Sequence, residues 1–131
     1  MSELLSRDAI LTADDRVIEQ VEVPEWGGHI FVRGMSGLER DRFEESLMGP
    51  RKGKTRELVL ENARARLVSL TACTATGERL FTDGDVKALG NKSAAALNRC
   101  YEVASRLNGL KQEDIEEAVQ DFSIDPAEHS P

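Results

Sequence analysis

Val17, Val21 and Val23 alternate with Ile18, Gln20 and Glu22, the period-2 pattern of a strand with one buried face. Pro24 removes a ladder donor and ends that run. Trp26-Gly27-Gly28 then supplies residues that tolerate positive φ, and His29-Ile30-Phe31-Val32-Arg33 forms a second β-branched and aromatic run, so the stretch predicts a hairpin. Ser36-Gly37-Leu38-Glu39 has the Ser-x-x-Glu spacing of a capping box, and the helix it opens is expected to reach about Met48 before Gly49-Pro50 stops it. Its pattern is weak, since Phe43 and Leu47 share a face while Leu38 lies opposite. A stronger stripe follows: Val59, Leu60, Ala63, Leu67 and Leu70 recur at helical spacing, predicting a core helix from Arg56 to about Thr71 with Thr55 as its cap. Beyond it, Ala75 to Glu78 reads as a turn and Arg79-Leu80-Phe81 as a returning strand, a second and smaller hairpin. Thr82 or Asp83 caps a short helix through Val86 and Leu89 that Gly90 ends. Ser93 caps the best helix of the chain, with Leu97, Cys100, Ala104 and Leu107 on its stripe and Gly109 after Asn108 as the stop.

These elements describe an α+β fold: a small antiparallel sheet of two hairpins with three to four helices packed on one side. A lead-in of residues 1–15, with a turn of helix across Ser6 to Leu11, precedes a single domain of residues 16–110. Residues 111–122 are expected to form a short amphipathic acidic helix and residues 123–131 a disordered tail. At 131 residues the chain buries roughly two thirds of its unfolded surface without disulfides or metal. No apolar run is long enough to span a membrane and the first residues lack the plan of a secretion signal, so a soluble protein made in a cytoplasm is expected. Cys73 and Cys100 have neither a Cys-x-x-Cys partner nor a nearby histidine, and are expected to be reduced core thiols.

Charge divides the chain sharply. All 17 basic residues precede Glu113, balanced there by 17 acids, so the net charge of -7 belongs to Glu113, Asp114, Glu116, Glu117, Asp121, Asp125 and Glu128. Such an end repels phosphate backbones and argues against nucleic acid as a partner, while a basic protein surface would attract it. Gly53-Lys54-Thr55 imitates the end of a phosphate-binding loop, but Met48 stands where the leading glycine must be and a helix precedes it. The stretch from Gly49 to Arg56 therefore reads as a basic surface loop. His29 and His129 are isolated, and no spacing nominates catalytic, cofactor-binding or metal-ligating residues. A binding or assembly role remains as the default. Ile115, Ala118, Val119 and Phe122 give Gln112 to Phe122 an apolar face. That segment either folds back to complete the core or orders in a partner's groove.

The order of Val21-Glu22-Val23-Pro24-Glu25-Trp26-Gly27-Gly28, Ile30 through Arg40, Gly77-Glu78-Arg79-Leu80-Phe81-Thr82, Leu89 through Leu97 and Ala104 through Leu110 resembles the tail assembly chaperones of long-tailed, siphovirus-type bacteriophages. The resemblance implies a non-enzymatic protein of the infected host cytoplasm that coats the tape measure protein, helps to recruit tail tube subunits, self-associates, and leaves before the virion is mature. It also implies, for many members, a longer form made by ribosomal frameshifting. Masking the apolar stripes of a long helical client requires exposed apolar side chains. Trp26, Phe31, Ile115, Val119 and Phe122 are the expected contacts, with the alternative for Trp26 that it only covers the sheet beside its turn. A structural virion component, as a tail or connector subunit, is the rival role.

Overall fold

The computed structural model describes residues 2–110. Ser6 accepts a hydrogen bond from the Ala9 N–H and opens α1 (Arg7–Thr12), which contributes no residue to the core. The predicted first hairpin is present as β1 (Ile18–Val23) and β2 (Gly28–Arg33), paired antiparallel from Ile18 opposite Arg33 to Val23 opposite Gly28. A turn of 3-10 helix over Pro24–Trp26 connects them, and Gly27 takes φ +79°, a conformation that costs glycine little.

The capping box is as the sequence predicts. In α2 (Gly37–Ser46) the Ser36 hydroxyl accepts from the Glu39 N–H and the Glu39 carboxylate accepts from the Ser36 N–H. The same carboxylate binds Arg33 at 2.6 Å and Arg16 at 3.2 Å, and Arg33 also donates to the Leu70 and Gly77 carbonyls. One glutamate thus fastens the end of β2 to the start of α2.

Gly49-Pro50 does not lead into a surface loop. Instead β3 (Met48–Lys52) and β4 (Thr55–Leu58) form a two-stranded hairpin, with Gly53 at φ +66° in its turn and a register shift between Met48 and Arg51. Gly49 is buried there because the Val59 side chain and the Glu57 backbone leave little room beside its Cα. The helix expected from Arg56 consequently starts later: α3 spans Ala63–Thr71. Thr55 caps nothing, its hydroxyl donating instead to the Lys52 carbonyl across the turn. Val59 and Leu60 lie before the helix, and Asn62, at φ +59°, turns the chain into it without a side-chain cap.

After α3, β5 (Ala72–Cys73) pairs with β2, placing Cys73 opposite Phe31 and Ala72 opposite Val32. The returning segment bridges Arg79 to Cys73, so the second hairpin is real but very short. The main sheet is ordered β1-β2-β5, and the β3–β4 hairpin is separate from it. Asp85 accepts from the N–H and hydroxyl of Thr82 at the entry to α4 (Val86–Gly90), and Ser93 caps α5 (Ala94–Leu107), with Gly109 at φ +66° beyond its end.

α3 and α5 pack against one another and against one face of the sheet. Val21, Val23, Val32, Phe43, Leu67, Val68, Leu89, Leu97, Cys100 and Ala104 form the buried interior. α3 is buried more completely than its stripe implies, since Ser69 and Thr71 are also inaccessible; Thr71 returns its hydroxyl to the Leu67 carbonyl. At its far end α5 closes back on the start of the domain. The Met35 N–H donates to Asn108 Oδ1 at 2.5 Å, Arg40 donates to the Asn108 carbonyl, Arg106 pairs with Glu19, and the Gly34 N–H donates to the Val17 carbonyl. The α+β class with helices on one side of a small antiparallel sheet is the one expected.

Candidate interaction surface

Alternation along β1 and β2 gives the sheet two different faces. Val21, Val23, Ile30 and Val32 point into the helical layer. Ile18, Gln20 and Glu22 on β1, and His29, Phe31 and Arg33 on β2, take the other face, because residues opposite one another in an antiparallel pair share a side. Phe31 is half-buried there, its ring edge-on to His29 at 5.7 Å between centroids. Ile18 is exposed, as is Leu80 on the returning segment.

Trp26 does not join this surface. It is half-buried against the core at the β1–β2 turn, and Glu25 beside it forms a two-bonded ion pair with Arg99 of α5 at 2.5 and 3.0 Å. The Arg99 hydrogen bonds hold the Glu25 carboxyl below the usual carboxylate range. The Glu25–Arg99 pair thus ties the turn to α5 beside the indole. Of the expected contacts, Trp26 and Phe31 stand on opposite sides of the sheet. Ile115, Val119 and Phe122 lie outside the described residues.

Sequence periodicity gave no signal for a second apolar group, on the lead-in. Leu4, Leu5, Ile10 and Leu11 are all exposed, Leu4 fully so. Two adjacent leucines before the Ser6 cap and an Ile-Leu pair after it are the only trace of them in the chain, too short for a periodic pattern.

Among the described residues no three His, Cys, Asp or Glu side chains converge as metal ligands, and no helix is long and apolar enough to cross a membrane. Both cysteines are buried free thiols. Burial pushes the Cys100 thiol up to about 11, and it raises that of Cys73 against the opposing pull of Arg33, so neither is poised as a nucleophile. Lys54 sits in a hairpin rather than before a helix, so no backbone N–H groups are arranged behind it to wrap a phosphate.

A comparison with curated proteins finds no match. Among solved structures, the fold is similar to that of the tail assembly chaperone of bacteriophage HK97, with a TM-score of 0.53 and 19% identity over 76% of this chain and 90% of that one. A family model described as phage tail assembly chaperone matches residues 6–121, and the chain belongs to that family.

Proposed function

We propose that this tail assembly chaperone acts without catalysis, binding the phage's tape measure protein in the host cytoplasm and keeping its apolar stripes covered until tail tube subunits replace it. The observation that carries this reading is the apolar surface that the domain leaves outside its own core: Leu4, Leu5, Ile10 and Leu11 around α1, and Ile18 and Phe31 on the outer sheet face. A small domain that retains exposed apolar groups of this size is suited to a partner that also exposes them. The sequence of the terminal segment adds Ile115, Val119 and Phe122 as further apolar contacts, and several copies associating along one client would extend the cover.

The test is co-expression with the tape measure protein, following client solubility by sedimentation. The full chain should hold the client in the supernatant, whereas a truncation ending at Leu110 and an Ile18→Ser/Phe31→Ser variant should each hold less of it. If none of the three changes solubility and the chain is found in purified virions, it is a structural tail component instead.

A further inference from the structure

The β3–β4 hairpin concentrates positive charge that the described structure does not neutralise. Arg7, Arg16, Arg33, Arg40, Arg56, Arg79, Arg99 and Arg106 all have a carboxylate within ion-pairing distance. Eight described cations have none among the described residues; Arg51, Lys52 and Lys54 are three of these, exposed together on a hairpin that carries one exposed acid, Glu57, and Arg51 exerts only a longer-range pull on Glu45, which Arg56 holds directly at 2.6 Å. The hairpin also stands apart from the main sheet, and two strands alone are marginally stable in water. Its anchorage is local: Val59 against Gly49, Arg56 to the Gly49 carbonyl and Glu45, and Arg66 to the Ser46 and Val59 carbonyls.

The chain holds a matching charge. From Glu113 onward come seven carboxylates and no Lys or Arg. We propose that the β3–β4 hairpin is the docking site of this acidic terminal segment of the same chain, with Arg51, Lys52 and Lys54 facing the carboxylates of Glu116 to Asp125.

Reach permits it. The described residues end at Leu110, beside Asn108, whose carbonyl accepts from Arg40 in α2. The ten residues of α2 rise about 15 Å and lead into β3, whose five residues extend about 16 Å further. An extended chain covers about 3.3 Å per residue. At full extension, which excludes a helix over residues 111–122 in the docked state, Glu116 reaches the hairpin base, and Asp121 and Asp125 reach its tip. Each exposed pair is weak in water and screened by salt, but a tether of this length holds the segment at an effective concentration on the order of millimolar, so several weak pairs suffice to populate the contact.

The experiment is zero-length carbodiimide cross-linking of the dilute full-length protein at low salt, with the linked peptides identified by mass spectrometry. Mixing isotope-labelled and unlabelled chains separates links within one chain from links between copies. The expected result is amide links from Lys52 and Lys54 to Glu113–Glu128 within one chain. They should be lost at about 1 M salt, where the screening length falls to about 3 Å, and should be reduced in Arg51→Glu, which keeps both reactive lysines. Links formed equally with Lys87 and Lys92, links only between copies, no links to the hairpin, or insensitivity to salt and to Arg51→Glu would each overturn the proposal.

Discussion

Glu39→Gln is the substitution from which most can be learned, because it changes charge and almost nothing else. Glutamine retains the oxygen that accepts from the Ser36 N–H at 3.0 Å, so the helix cap survives, but Arg33 loses the anion that faces it at 2.6 Å. The two side chains are only 12% and 16% exposed, so solvent does not replace what is lost. Removing one partner of a buried pair costs about 3–5 kcal/mol. Here the residual exposure and the Leu70 and Gly77 carbonyls that still accept from Arg33 reduce this to about 2 kcal/mol. At this chain length that lowers the melting temperature by about 8 °C. Glu44→Gln is the control: its carboxylate meets Arg40 at 3.1 Å but is 59% exposed, and the change should stay within about 0.5 kcal/mol. Urea denaturation followed by circular dichroism measures both. Arg33→Met combined with Glu39→Gln should recover part of the loss, since no uncompensated charge is then left buried. If Glu39→Gln costs no more than Glu44→Gln, the ion pair does not hold β2 to α2 and the account given for that corner is wrong.

Other outcomes follow from the same contacts. Leu67→Ala removes the largest fully buried side chain, in the middle of α3, and should cost about 2–5 kcal/mol by chemical denaturation. Asn108→Ala strips the acceptor from the Met35 N–H and the donor from the Ala104 carbonyl, and should cost about 1–3 kcal/mol by the same assay. The Cys100 thiol should react with a disulfide reagent only at the rate of unfolding, while the same thiol in urea reacts at once. Because burial raises this thiol from 9.0 to about 11, its neutral form is favoured in the folded state. The contribution is constant below pH 9 and is lost between pH 9 and 11, and Cys100→Ala should flatten that part of the stability profile.

The parts of the fold that could be read from the sequence are those in which local chemistry and burial agree. Ser93, the Leu97-Cys100-Ala104 stripe and Gly109 each independently bound α5, and Ser36 with Glu39 marks the start of α2 as firmly as any sequence can. The β3–β4 hairpin was hidden because its strands bury almost nothing. Met48-Gly49-Pro50-Arg51-Lys52 carries no alternating apolar pattern, and its pairing rests on backbone hydrogen bonds across a glycine turn. Val59 and Leu60 fell by chance into register with the true stripe of α3, which extended the expected helix backwards. Its real start, at Asn62 with positive φ and no side-chain cap, has no sequence signature. The candidate surface was legible only in part. Phe31 could be found from strand alternation, but the opposite placement of Trp26 depends on how the turn folds onto α5, a tertiary fact.

The closure of α5 onto the start of the domain fixes where the chain enters and leaves. Asn108 on Met35, Arg106 on Glu19 and Gly34 on Val17 bring residues 16–19 and 106–110 to one pole. The body can therefore be circularly permuted, joining these two ends by a short linker and opening the backbone at Gly53 in the hairpin turn.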